Sequence, residues 1–596
     1  MNLLENISKI VADAFENSGY DRKFGNISIS NRPDLCEFQC NGALAGAKLY
    51  KKNPLEIAKE VSEILKNDEA FSSVEFVPPG FINIILNENY ILGFMKDKNN
   101  FKDFIDDVQT DTIVLDYGGP NVAKPLHVGH MRSANIGEAI KRIGKAVGNN
   151  VIGDVHLGDW GMPLGLVIAE IKERYPDLDY FKADFKKSLD GISDVCSVTV
   201  EQLAEIYPAA SEKSKSDEEF KKKALEMTSK LQNRENGIYD LWEKIIEISI
   251  LDIKKIYGVL NVEFDYWYGE SNASPYIPKL LDALNDKNLM YESDGAYVVD
   301  VAQEDDKITI PPTLILKSDG SQLYTTTDLA TIIQREEDFK PNQYIYLTDS
   351  RQSLHFTQVF RCAKKAKIVP ESTNLNHISF GTINGADGKP LKTRDGKAKS
   401  LEELITEMYD AALKKVTENF KEHNVDEKLL KEKEDVAMKV GVAALKFGDL
   451  YNYRSTDYVL DVNKFVSFEG KTGPYLLYTV ARINSIVNKY KSELKKDCDG
   501  QINNIKIYSD IEKQLIMKLL LTEDVLVKSF NDRAPNMVCE HIYEISAAFN
   551  KFYDKSRIIA EENTEKQTSW ITLCLLVRDF IISLLDVLAI ETVERM

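Results

Sequence analysis

The chain has 596 residues, several times the usual domain length, so about three or four domains are expected. With 43% hydrophobic and 28% charged residues it can bury large cores, and no stretch is apolar for the roughly 18 residues that a membrane span needs. A net charge of −19 argues against a broadly basic nucleic-acid binder, though polyanion binding depends on local basic surface; the seven scattered cysteines fit reduced thiols in a cytoplasm.

The first segment puts Leu3, Leu4, Ile7, Ile10, Val11, Ala14 and Phe15 at helical spacing, without the basic start and continuous apolar run of a signal peptide. A second amphipathic helix is predicted over 53–65. The run 74–77 then leads through Pro78, Pro79 and Gly80 into a strand ending at Leu86. Residues 1 to about 105 therefore form a separate α+β unit, with the polar stretch 96–111 as a linker. Cys36 and Cys40 are the one close cysteine pair, and without a second pair at metal-site spacing they are not read as a zinc site.

Residues 112–117 read as a short apolar strand, 131–147 as a helix with Ile136, Ile140, Ile143 and Val147 facing inward, and 151–155 as a second strand. Strand, turn, helix and strand make a βαβ unit, so the expected fold class is α/β, a Rossmann-type parallel sheet. A mostly helical insertion occupies about 165–295, and strands resume at 296–301, 313–317 and 343–348. From Leu401 the pattern is helical almost to the end. The expected divisions are 1–105, 106–400, a helical region at 401–461 and a C-terminal helical bundle at 462–596.

No P-loop, no G-x-G-x-x-G after a strand and no G-x-S-x-G is present, which removes P-loop hydrolases, typical dinucleotide dehydrogenases and serine hydrolases as leading readings. What remains is the run from Pro120 to Ser133, PNVAKPLHVGHMRS, lying between the first strand and its helix. His127 and His130 at a helix start can donate to phosphate oxygens beside helix N–H groups. Gly129 lets a flat ring such as adenine pack on the backbone, and Lys124 adds a mobile point charge. The two histidines could instead cap the helix or bind a metal, although no Cys or acidic partner lies at ligand spacing. Downstream, the stretch 385–397 is rich in glycine and carries Lys389, Lys392 and Arg394. That suits a basic loop acting on phosphates, and equally a solvated turn.

The H-x-G-H run followed far downstream by a basic loop resembles the HIGH and KMSK pair of class I aminoacyl-tRNA synthetases. The finer resemblance, over nearly the whole chain, is to the arginyl-tRNA synthetases. It is carried by the segment 116–133, by HLGDWG from His156, by LYTTTDLA from Leu323, by DSRQSLH from Asp349, by FEGKTGPY from Phe468 and by the terminal ERM. The resemblance implies an aminoacyl-tRNA ligase that uses ATP with Mg²⁺, L-arginine and tRNA(Arg), with no protein-ligated metal, and is a cytoplasmic monomer. It implies that Asp116, Tyr324, Asp328 and Gln352 hold the arginine side chain. Asn121 would hold the α-amino group, with His127 alongside. His127, His130, Gly129, Lys124, Lys392 and Arg394 would serve ATP. Read without the family, Asp328 would be a helix cap.

The loop reads Leu391, Lys392, Thr393, Arg394 where KMSK would stand, and the resemblance makes Lys124 the compensating lysine. Phe81 and Asn83 resemble the pair that touches the tRNA D-loop. Tyr475 and Arg482 fall in the helices expected to hold the anticodon loop. The N-terminal unit departs from its relatives around Cys36–Cys40. Two rivals stand beside this reading: an H-x-G-H nucleotidyltransferase acting on a small metabolite, disfavoured by the long helical C-terminus, and a non-catalytic tRNA-binding paralogue, disfavoured by the intact His127, His130, Asn121 and Asp328.

Overall fold

The computed structural model describes residues 2–96, 98–106, 110–183, 185, 198–318, 320–391, 399–419, 427–496 and 500–596. At the N-terminus, Asn2 and Asn53 accept hydrogen bonds from Glu5 N and Leu55 N and so start the helices Leu3–Asn17 and Pro54–Leu65. Both helices bury their apolar stripes in a core shared with an antiparallel sheet of β1 (Ile27–Ile29), β2 (Phe38–Cys40), β3 (Phe71–Val77) and β4 (Phe81–Leu86), in the order β1-β2-β4-β3. In β4, Ile82, Ile84 and Leu86 point into the core, while Phe81 and Asn83 share the opposite face. The strands β1 and β2 are absent from the sequence expectation, because three residues are too few to display a period.

The apolar run β5 (Thr112–Asp116) crosses over by the helix Val128–Ala146 to β6 (Asn150–Asp154). The helical insertion follows, ending before β7 (Met290–Ser293), β8 (Ala296–Val299) and β9 (Thr313–Leu316). Here the structure corrects the expectation that the strands near 296 and 313 rejoin the parallel sheet. With β7 they form a separate three-stranded antiparallel sheet in the order β7-β8-β9. A hairpin link of two residues between β7 and β8 permits only antiparallel pairing, and β7 itself had no readable pattern. The parallel sheet is completed by β10 (Gln343–Asp349) and β11 (Asn374–Phe380), in the order β11-β10-β5-β6. Strand order reverses between β10 and β5, so the crevice at the carboxyl ends of those two strands is where a ligand is accommodated.

Beyond the sheet, β12 (Ile383–Asn384) pairs in parallel with β13 (Tyr458–Val459), joining the parallel-sheet unit to the helices that follow Leu401. The stretch 96–111 is more than a linker. Its 3₁₀ turn Phe101–Phe104 lays both phenyl rings edge-on against Phe580 of the long C-terminal helix Thr564–Val587. Lys513 likewise reaches from the C-terminal helices to Glu37, 2.6 Å away. Among the described residues no helix is long and apolar enough to cross a membrane.

Candidate active site

The H-x-G-H run starts the helix Val128–Ala146, three residues earlier than the periodicity suggests, with His127 as its N-cap. His127 Nδ1 accepts from the Gly129 amide at 3.1 Å, and His130 Nδ1 accepts from the His127 amide at 3.1 Å. The two rings stack with centroids 3.8 Å apart. An Nδ1 that accepts belongs to the neutral tautomer, so each ring offers its Nε2–H as a donor. Burial, the neighbouring His127 and Lys124 push His130 down to about 3, and burial with Lys124 lowers His127. The pair therefore works as neutral donors at the positive end of a helix. A Cβ on Gly129 would lie 3.0 Å from the His127 ring, so glycine keeps this turn closed and its upper face clear.

These groups line one side of a cavity of about 1420 Å³ whose walls also include Asp116, Asn121, Tyr324, Asp328 and Gln352. That volume exceeds the usual range for one small ligand, roughly 300–1,000 Å³. The structure brings together the two sets of residues singled out for nucleotide and for amino acid. It does not bring Lys124 to the cavity wall: its ammonium stands 5.9 Å from the ring centre of Tyr207. Lys392 and Arg394 lie outside the described residues. The exit of their loop is nevertheless sewn to the H-x-G-H turn, since Val128 N donates to Lys399 O at 3.2 Å and Leu401 N to Leu126 O at 2.9 Å.

At the other end of the cavity the acids are organised by a residue the sequence reading missed. Arg335 is fully buried; its Nη2 lies 2.7 Å from Asp116 Oδ2 and 2.6 Å from Asp154 Oδ2, and its Nη1 donates to Tyr346 Oη at 3.1 Å. Two carboxylates and one guanidinium leave one net negative charge. Asp116 is therefore not the open acid that the sequence suggests, and burial raises its carboxyl. Asp328 is the more available one: His355 Nε2 lies 2.5 Å from its Oδ2, while His156 Nε2 stands 4.0 Å from its Oδ1. Among the described residues neither ring nitrogen of His156 has a hydrogen-bond partner, and the ring lines the cavity. Glu270 stands behind, its carboxyl pushed up to about 8 by burial and by Asp328 and Asp159. Arg335 had a signal in the sequence: it lies seven residues after Asp328 on one helix, hence on the same face. His355 closes the DSRQSLH segment that carries the resemblance, though no role was read for it, and Glu270 had no signal beyond its type.

The remaining singled-out residues lie elsewhere. Asn83 accepts from Gln39 Nε2 at 2.9 Å on the open face of β4, beside Phe81. Tyr475 and Arg482, on the helix Gly473–Leu494, are joined through Asn550, which donates to Tyr475 Oη at 2.7 Å and accepts from Arg482 at 2.8 Å. The Arg482 guanidinium also stacks on Tyr478, 4.9 Å from its ring centre. Among the described residues no group of His, Cys, Asp or Glu is arranged to hold a metal ion.

Comparison with known proteins gives three family matches along the chain: the arginyl tRNA synthetase N terminal domain over 1–86, the catalytic domain of the class I (R) tRNA synthetases over 95–462, and the DALR anticodon binding domain over 476–596. The arginine–tRNA ligases of Agathobacter rectalis and Alkaliphilus oremlandii are 46% and 45% identical to the chain, and each alignment covers the whole of both proteins. Among solved structures, the arginyl-tRNA synthetase of Plasmodium falciparum superposes with a TM-score of 0.80 at 23% identity, over 100% of this chain and 99% of that one, a likeness of fold.

Proposed function

The chain belongs to the arginyl-tRNA synthetase family, and from that premise we propose how its cavity carries out the arginine–tRNA ligase reaction. The carboxylate of arginine attacks the α-phosphorus of ATP, the bond to the β-phosphate breaks, and arginyl-adenylate and pyrophosphate form. A hydroxyl of the 3′-terminal ribose of tRNA(Arg) then attacks the activated carbonyl and AMP leaves. No protein nucleophile is required. The observation that carries this reading is the polarity of one cavity, with anionic groups at Asp328 and the Asp116–Arg335–Asp154 cluster and neutral donors at His127 and His130.

At the acidic end the guanidinium of arginine meets Asp328 and the net charge of the Asp116 cluster, with Tyr324 and Gln352 at the rim and Asn121 on the α-amino group. A neutral amino acid would leave that charge without a partner, which is the basis of selection. At the other end the Nε2–H groups of His127 and His130 and the helix N-terminus stabilise charge that grows on the phosphates, a contribution larger in the transition state than before it. Gly129 leaves room for adenine. ATP enters as its magnesium complex, the ion carried by the phosphates. The loop residues Lys392 and Arg394, with Lys124 approaching from outside the cavity wall, supply further positive charge. The units at 1–105 and 462–596 hold the tRNA through Phe81, Asn83, Tyr475 and Arg482, the stem-facing helices at 401–461 lie between, and the protein works as a cytoplasmic monomer.

The deciding experiment is arginine-dependent ATP–pyrophosphate exchange with and without tRNA, alongside tRNA charging. Exchange and charging with arginine, and neither with citrulline, are expected. Absence of both under every condition overturns the catalytic reading and leaves the tRNA-binding paralogue.

A further inference from the structure

Arg132 lies two residues beyond His130, on the face of the Val128–Ala146 helix turned away from solvent, and is 1% exposed. Its Nε lies 3.3 Å from Asp449 Oδ1, a carboxylate buried completely on the helix Glu427–Leu450. Its Nη1 donates to the carbonyl of Thr382 at 3.4 Å, and its guanidinium covers the ring of Tyr458 at 5.0 Å. Asn135, one turn further along, donates to Asp449 Oδ2 at 3.2 Å. One side chain thus ties the helix that begins with the two histidines, on which it sits, to three places: Thr382 just before β12, Tyr458 in β13, and the helix Glu427–Leu450.

Thr382 and Ile383 line the same cavity as the histidines, and so does Arg132. The pair between β12 and β13 is only two residues long, too short to hold its register without help. A buried ion pair is a poor stabiliser beside apolar packing, because desolvating two charges offsets most of their attraction. Its best-attested use is to fix one arrangement among several. Among the described residues Arg132 Nε and Nη2 and Asp449 Oδ1 have no hydrogen-bond partner, so the tie to Asp449 is an ion pair whose attraction is strong because the site is dry.

We propose that Asp449 is a positioning residue for amino-acid activation. It acts through Arg132 to hold the wall at Thr382–Ile383 in register with the His127–His130 turn. The inference rests on the ligase reading above. It predicts a particular kinetic signature, because among the described residues the arginine pocket at Asp328 and the Asp116 cluster shares no hydrogen bond with Arg132 or Asp449. Loss of the tie disturbs the transition state at the phosphates and leaves binding of arginine as it was.

The test uses the full chain in arginine-dependent ATP–pyrophosphate exchange under whichever tRNA condition supports the wild type, with thermal unfolding measured in parallel. Asp449→Asn should lower kcat about tenfold or more, the scale of a small misplacement of reacting groups, while KM for arginine stays within about twofold. Arg132→Lys should do the same, and the double variant should be no worse than the worse single one, because both break one tie. Asn135→Ala, a gentler change, should lower kcat in the same direction by about threefold and keeps the test open should Asp449→Asn fail to fold. A kcat that falls only in proportion to the folded fraction, a rise in KM for arginine at unchanged kcat, or additive effects in the double variant overturns the assignment. An inactive wild type overturns the ligase reading itself, a result distinct from active variants beside an active wild type.

Discussion

Asp328 carries the sharpest consequence at the scale of a single residue. His355 fixes one of its oxygens at 2.5 Å, so the carboxylate cannot turn away when a cation arrives. Asp328→Asn keeps the shape and removes the charge. KM for arginine should rise by about two orders of magnitude, the worth of a charge-assisted hydrogen bond, while KM for ATP changes by less than about threefold. Steady-state exchange with each substrate varied in turn measures both, and equal rises would place the arginine pocket elsewhere. Glu270 adds a pH dependence. Its carboxyl titrates at about 8 in the free protein, so near neutrality it is protonated. A guanidinium close by favours the charged form and expels that proton. Arginine affinity should therefore increase as pH rises from 6 towards 8 and level off above. Titration calorimetry in buffers of different ionisation heat should show proton release near pH 7, and Glu270→Gln should abolish it.

At the scale of elements, Arg335 shows what a buried charge does for a sheet. Asp116 and Asp154 are register partners at the carboxyl ends of β5 and β6, and both would face each other in a dry interior without the guanidinium between them. Arg335→Met should cost about 3–5 kcal/mol of stability, the penalty for leaving buried charge unpaired, seen as a lower thermal midpoint. Sequence patterns revealed some of these elements and hid others for physical reasons. The strands β5 and β10 were legible because each buries a continuous apolar run, and β6 because Val151 and Ile152 follow the helix at βαβ spacing. The strand β11 was not, since four of its seven residues, Asn374, Asn376, His377 and Ser379, are polar. The parallel core and the H-x-G-H turn could be read from local chemistry. The cluster of Asp116 with Arg335 could not, because its members are 219 residues apart and meet only when β5 and the helix Tyr324–Asp338 pack together.

At the scale of the whole molecule, a chain of net charge −19 has to bind a polyanion. Global repulsion means that the contacts lie on restricted basic and aromatic surfaces, and the proposed function puts the Tyr475–Asn550–Arg482 chain with Tyr478 among them. Tyr478 is 38% exposed, so a base can stack on its open edge while the guanidinium backs the ring. Such an interface gains much of its affinity from released counterions, whereas the arginine pocket releases none. KM for tRNA in charging should therefore climb steeply with salt, with a log–log slope of about 3–5 if that many phosphates are contacted, while KM for arginine in exchange stays nearly flat. Arg482→Ala should raise KM for tRNA by about tenfold and reduce the slope by about one, because it removes one cation and loosens the tyrosine it supports. A charging assay repeated between 50 and 300 mM potassium chloride, on the order of the range over which screening changes most, separates the two. A salt slope that is equally small for both substrates would mean that tRNA is held by shape and stacking, with phosphate contacts playing little part.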